Sequence, residues 1–400
     1  MAEGAPWLTI VGLGEDGLNG LPDASRDALS RADVVMGAAR HLALLPPPGC
    51  EVMEWPVPFA EGIAQLLAQR GRRVVLLASG DPFWFGAGTS VTRHLARGEW
   101  VALPAPSAFS WAAAQLGWPL EQVACLGLHA APLTRLRPHL AGGAHVLVLL
   151  RDGAAVGDLA GYLCTMGFGD SRLHVMEALG GTRARVRHVM AAQYDLDDVT
   201  HPVIAGVEVA GQGAVLPAVA GLPDAFFAHD GQITKRAMRA LTLSALAPRP
   251  GEMLWDIGAG AGSVGIEWLL AHPAMRAIGF ELDARRAARA RANAHALGVD
   301  RLQVVEGRAP QVLAGQPLPD AVFIGGGVSG PMLEQLWQLL PAGVRIVANA
   351  VTLESEALLA QWHARTGGTL LRLDMAEAAA LGNKHGWRAA YPVVQWSVVR

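Results

Sequence analysis

The chain has 400 residues, 52% of them hydrophobic and 17% charged, with a net charge of −3. That length exceeds one ordinary core and implies two domains, the composition excludes a disordered chain, and the lack of excess positive charge argues against a nucleic-acid partner. Cys50, Cys125 and Cys164 are odd in number and widely separated, so neither a disulfide framework nor a metal cluster is expected. The start of the chain lacks a basic segment followed by a long apolar run, and no apolar stretch approaches a membrane span; a cytoplasmic protein without a membrane partner is expected.

Short Val/Ile/Leu-rich runs alternate with longer Ala/Leu/Arg-rich helical patterns, which predicts α/β architecture with largely parallel sheets. In the first half, strands are predicted at Leu8–Gly12, Val74–Ala78, Val101–Pro104 and Val146–Leu150. Three loops follow such strands. The first carries Gly12, Gly14 and Gly17, the second Ser79, Gly80, Asp81 and Pro82, and the third ends at Ser107, where a helix is expected to begin. Loops that follow parallel strands gather at one sheet edge, the usual ligand side of α/β folds; taken singly, each is also an ordinary turn.

The stretch Ala205–Asp224 is nearly uncharged and rich in Gly, Pro and Ala, and it predicts a domain boundary. We take residues 1–209 as one domain, 210–228 as linker and 229–400 as the other. The apolar residues Val207, Val209, Val215, Leu216 and Val219 predict that part of this stretch packs on a domain. A helix is expected to follow, with Thr234 as its N-cap. Strands are then predicted at Met253–Ile257, Ala277–Glu281, Gln303–Glu306, Ala321–Ile324 and Val344–Ala348.

The strongest local signal is LWDIGAGAGSVGIEW, in which Asp256 is followed by Gly258, Ala259, Gly260, Ala261 and Gly262 and a helix begins near Ser263. Glycines there allow a tight turn and close approach of a ligand to the backbone, and the helix N-terminus favours an anionic group. Glu281, ending the next strand, is suited to accept hydrogen bonds from ribose hydroxyls. On the motif alone two cofactors fit, S-adenosylmethionine (SAM) and a dinucleotide, because Gly260, Gly262 and Gly265 also spell GxGxxG. Asp256, two residues before the first glycine, and the strand–helix order that follows favour SAM. Gly325, Gly326 and Gly327 end the fourth strand and leave room for a large flat substrate or form a flexible turn.

With its neighbours EGRAP, DAVFIGGG and ANAVTLESEALL, the segment from about Asp230 to Ala360 resembles the precorrin decarboxylating methyltransferase family. That resemblance implies a class I, Rossmann-like SAM methyltransferase domain with SAM contacts from Thr234, Gly258–Gly262, Glu281 and Ala309. The three loops of the first half together resemble the tetrapyrrole methylase family over about Trp7 to Val209, which implies a second SAM site, of a different fold, in a cleft between two lobes, served by Gly12, Gly80, Asp81, Pro82 and Ser107. Here the first loop has Glu15-Asp16-Gly17 and the second starts Ser79-Gly80 where many relatives carry Pro-Gly-Asp and Gly-Gly.

A fusion of the two implies methyl transfer to C-5 and C-15 of a corrin precursor, with loss of carbon dioxide from a ring C acetate. The resemblance implies the C-15 transfer and decarboxylation in the C-terminal domain and the C-5 transfer in the N-terminal one. Cobalt-containing precursors, or an RNA substrate, are the alternatives. No triad or metal is expected, since such chemistry needs positioning above all. Arg236, Arg239 and Lys384 are candidates to hold substrate carboxylates, or are solvated charges. His229, Lys235 and Arg308 are candidate catalytic groups, with a plain loop histidine as the other reading of His229. The partners expected are a small tetrapyrrole and other copies of the same chain, as a homo-oligomer.

Overall fold

The structure, a computed structural model, describes residues 6–400. The chain divides into two compact units, one running to Leu133 and resuming at His139–Ala214, the other comprising Thr134–Pro138 and Val215–Arg400. Among the described residues no helix is long and apolar enough to cross a membrane.

The first unit holds two sheets. One consists of β1 (Leu8–Leu13), β2 (Val34–Gly37), β3 (Glu51–Glu54), β4 (Val74–Ser79) and β5 (Trp100–Leu103), all parallel, in the order β3-β2-β4-β1-β5. Leu8, Ile10 and Val11 of β1 and Val74–Ala78 of β4 are buried, the continuous apolar run expected of parallel strands covered on both faces. The chain reverses direction across the sheet at β1 and β4, which lie side by side with Leu13 opposite Ser79. That reversal opens a crevice at their C-terminal ends. The second sheet is mixed: β6 (Ala124–Gly127), β7 (His145–Leu150), β8 (Arg172–Glu177), β9 (Arg185–Met190) and β10 (Val203–Glu208), in the order β6-β7-β10-β8-β9. Ser107 is the N-cap of the helix Ala108–Leu116, its Oγ accepting from the Ser110 N–H at 3.1 Å.

The second unit contains β11 (Met253–Ile257), β12 (Arg276–Glu281), β13 (Gln303–Glu306), β14 (Ala321–Ile324), β15 (Arg345–Ala350), β16 (Thr369–Leu373), β17 (Ala376–Leu381), β18 (Lys384–Ala389) and β19 (Val393–Val399). Seven of them form one sheet, β13-β12-β11-β14-β15-β19-β16, with β19 antiparallel to both neighbours, and β17 and β18 form a separate hairpin. Alternation along β11 sends Met253, Trp255 and Ile257 to one core and Leu254 to the other. Asp256 therefore points to the face of Leu254, where the helix Ser263–Leu270 packs.

Two expectations change. The helix after the boundary is Arg236–Leu246 with Lys235, not Thr234, in the N-cap position and no side-chain cap; Thr234 instead offers its carbonyl to Arg239. Of Ala205–Asp224, the residues up to Glu208 form part of β10, a central strand, while Leu216 and Leu222 join the core of the second unit.

Candidate active sites

In the second unit a cavity of about 900 Å³ opens at the C-terminal ends of β11, β12 and β14. One wall is the loop after β11, which starts at Gly258 and runs into the helix through Gly262; Gly258, Gly260 and Gly262 have φ of 75°, 56° and 77°. L side chains rarely adopt that conformation, and a Cβ on Gly258 would lie 3.0 Å from the Gly326 nitrogen. Glu281, 7% exposed, accepts from the Gly260 N–H at 2.8 Å and the Asp283 N–H at 3.0 Å. One carboxylate thus ties the glycine loop to the next strand and retains lone pairs toward the cavity. Asn293 braces the loop from behind, donating to the Ala261 and Ala228 carbonyls. Asp256 is wholly buried beneath it; its Oδ2 accepts from the Gly265 N–H at 2.9 Å and its Oδ1 has no partner. Burial pushes its pKa up to about 7, with Glu281 adding in the same direction.

The rim is cationic, with Lys235, Arg286 and Arg308 on it. Arg286 pairs with Asp230 at 2.9 Å, and the Gln232 N–H together with Arg286 and Arg289 holds Asp230 well below the usual carboxylate range. Asn349, also lining the cavity, donates to Thr242 Oγ1 at 2.9 Å and accepts from Gln395 at 3.0 Å, a satisfied network at the back wall.

The first unit has its own cavity, about 460 Å³, lined from both of its sheets. Gly80, Asp81 and Ser107 face it with Trp55, Phe59, Trp84, Phe85 and Trp111, an aromatic wall suited to a flat conjugated ligand. Gly12 does not line this cavity but lies against the second and third loops. A Cβ there would come 1.9 Å from the Gly80 carbonyl oxygen and 2.5 Å from the Ala105 nitrogen, so the first and second loops close on each other only with glycine at this position. Asp81 fixes its own loop by accepting from the Phe83 N–H at 2.8 Å.

The model of a tetrapyrrole (corrin/porphyrin) methylase domain matches residues 7–194, and that of a precorrin methyltransferase domain matches residues 225–400. A Sinorhizobium protein named precorrin-6Y C(5,15)-methyltransferase (decarboxylating) is 51% identical over 98% of this chain and 96% of its own length. The Mycobacterium tuberculosis protein of the same name is 40% identical over 98% of this chain and all of its own. The chain belongs to the precorrin-6Y C(5,15)-methyltransferase (decarboxylating) family. A crystal structure of the C-terminal domain of a Rhodobacter capsulatus member is 56% identical, spans 46% of this chain and superposes with a TM-score of 0.45.

For a member of this family the placement of the sequence-derived residues is informative. Thr234, Gly258, Ala259, Gly260, Ala261, Glu281 and Ala309 come together on the second cavity, with Lys235, Arg308 and the Gly325–Gly327 turn. Asp256 and Gly262 do not line it: Asp256 holds the helix start, and Gly262 is the positive-φ residue that precedes it. In the first unit Gly80, Asp81 and Ser107 line the cavity and Gly12 and Pro82 do not.

Four candidates are corrected. Arg239 is fully buried, bonded to Glu267 at 2.5 Å, to Asp224 at 3.1 Å and to the Leu222 and Thr234 carbonyls, and it lies over the Phe227 ring, away from the cavity. Arg236 spends its Nε on the Gly221 carbonyl at 2.8 Å and lies off the cavity. His229 accepts from the Gly231 N–H at 3.0 Å in a local turn, and Lys384 stands on the exposed hairpin; neither lines the cavity. Arg286, Asn349 and Tyr391, and in the first unit Arg40 and His41, went unrecognised in the sequence. Arg286 had a signal: Asp283 caps its helix in the first turn after Glu281, which aims that turn at the same strand end.

Proposed function

We propose that this chain uses SAM at two separate sites to methylate precorrin-6Y at C-5 and C-15 and to remove carbon dioxide from its ring C acetate, a step of cobalamin biosynthesis. The reading rests on one observation above all: near-full-length relatives of that name, matched across both units at 40–51% identity. The C-terminal unit is read as a class I SAM methyltransferase domain carrying the C-15 transfer and the decarboxylation, and the N-terminal unit as a tetrapyrrole methylase carrying the C-5 transfer. The seven-stranded sheet with one antiparallel strand supports the first assignment, and the cavity lined from two sheets the second.

Bound SAM supplies an electrophilic methyl group. In the C-terminal unit Glu281 is placed to accept from ribose hydroxyls, and the positive-φ glycines bring free backbone close to the cofactor. Lys235, Arg286 and Arg308 are the cations available to the macrocycle's carboxylates. The apolar floor of the cavity, Ile257, Phe280 and Met332, strips water from the carboxylate that leaves. In the N-terminal unit Asp81 and the Gly80 turn hold the cofactor loop, and the aromatic wall positions the ring system in line for transfer. The same reading keeps the enzyme cytoplasmic and homo-oligomeric, the latter supported by exposed Leu381, Trp387 and Tyr391 on and beside the β17–β18 hairpin. The test is mass analysis of precorrin-6Y after incubation with the chain and SAM. The reading expects two methyl groups gained and one carbon dioxide lost; an unmodified tetrapyrrole would refute it.

A further inference from the structure

A polar cluster in the N-terminal cavity joins the first cofactor loop to the second, with Arg40 between Glu15 and Ser79. Ser79, the last residue of β4, sits immediately before Gly80 and Asp81. Its Oγ lies 2.9 Å from Nε2 of His41 and 2.8 Å from Nη2 of Arg40, and the same Nη2 lies 2.9 Å from Nε2 of His41. A guanidinium only donates, so His41 Nε2 accepts from Arg40, and the neutral ring carries its hydrogen on Nδ1. The Nε2 lone pair also faces the Ser79 hydroxyl. Arg40 is fixed by Glu15, whose other oxygen takes Arg183 at 2.9 Å. His41 is 8% exposed, lines the cavity, and leaves its Nδ1 buried without a partner.

We infer that Ser79 and His41 form the proton-accepting relay for the methyl transfer made in the N-terminal unit, an assignment that rests on the functional reading above. The meso carbon gives its π pair to the incoming methyl carbon, while sulfur keeps the pair of the bond that breaks. The methylated macrocycle has then gained one positive charge and must release one proton. That proton passes to Ser79 Oγ as the Ser79 hydroxyl hydrogen passes to Nε2 of His41, which gives up its hydrogen bond from Arg40 while Arg40 keeps the one to Ser79 Oγ; the electron pair the proton leaves behind restores conjugation. Such a cation is a strong acid, so the acceptor need not be a strong base; it must be unprotonated. Burial first, and the charge of Arg40 second, push the His41 imidazole down to about 4, so it stays a free base near neutral pH. Arg40, Glu15 and Arg183 are the charged groups of its cluster, and Asp81, Arg151, His129 and His201 line the same cavity. His201 is also held below its ordinary value, by burial and then by Arg40.

The test compares Ser79→Ala and His41→Gln with the wild-type full chain on precorrin-6Y and SAM. In both variants a singly methylated, decarboxylated product should accumulate. The second methyl should be slowed about 100-fold or more at saturating substrate and saturating SAM, the usual weight of a positioned acid or base, with SAM affinity at the C-terminal site unchanged. Ser79→Ala removes one oxygen and keeps the question open to decision if His41→Gln fails to fold. A second readout is nitrogen NMR of His41, which should show a neutral ring protonated on Nδ1 through about pH 6 to 8. Full-rate second methylation in both variants would overturn the relay. So would a loss confined to KM, which would make the cluster a carboxylate clamp, or an imidazolium at neutral pH. A wild-type chain that adds no methyl group would overturn the functional reading, and the relay with it.

Discussion

Arg239→Ala should damage stability rather than substrate binding. The guanidinium has no exposure, and it donates to Glu267, Asp224 and the Leu222 and Thr234 carbonyls. Removing it leaves Glu267, 6% exposed, with only the backbone N–H groups of Gly221 (2.6 Å) and Leu222 (2.9 Å). Breaking one side of a buried ion pair costs about 3–5 kcal/mol. For a unit of this size that corresponds to a fall in Tm of about 6–20 °C in the transition of the C-terminal unit. Arg239→Met combined with Glu267→Gln should recover much of the loss, because no uncompensated charge then remains buried. Calorimetric scans of the full chain, followed with KM for the tetrapyrrole on the folded fraction, decide the matter. An unchanged Tm with a raised KM would mean that this arginine meets substrate and that the buried network is misread.

Three further outcomes follow from the same geometry. Glu281→Gln should weaken SAM at the C-terminal site about 10- to 150-fold, the loss of charge-assisted bonds worth about 1.5–3 kcal/mol; titration calorimetry with one of two affinities unchanged is the expected result. Asp256 stays protonated in the folded chain up to about pH 7 but ionises near 4 when unfolded. Its contribution to stability is therefore complete below about 4 and is lost as pH rises through about 7, on the order of a few kcal/mol; Asp256→Asn should flatten that part of the stability–pH curve, measured by denaturant titration against wild type. Gly12→Ala, whose methyl would meet the Gly80 carbonyl at 1.9 Å, should abolish SAM binding in the N-terminal unit alone, and two intact SAM affinities would refute the close approach of those loops.

Much of this architecture is legible in the sequence where backbone geometry dictates the residue. The Gly258–Gly262 loop and the buried runs of β1, β4, β7, β11 and β14 announce themselves, because positive φ demands glycine and two-sided burial demands apolar side chains. Strands with solvent-facing or Ala-rich sequences were not predicted, and neither were the buried β2, β10 and β19. β9 reads RVRHVM, β17 reads AEAAAL, and neither shows the alternation that marks a half-buried strand. Partner choice is also invisible locally. Arg239 looks like any helix arginine until the fold brings it to Glu267, and Thr234 offers a cap that the chain passes over in favour of placing its carbonyl on Arg239. The same holds for His41, which follows the four-residue β2 and acquires meaning only beside Ser79.

The central claim is that two cofactor sites on one chain divide the chemistry. Asp81→Ala tests it most directly, because Asp81 orders the Gly80 loop of the N-terminal cavity and is absent from the C-terminal one. Mass analysis of precorrin-6Y after reaction with this variant and SAM should find one methyl group gained and carbon dioxide lost, against two methyl groups and the same loss for wild type. A folded variant that still adds both methyl groups, or that adds none, would contradict the division.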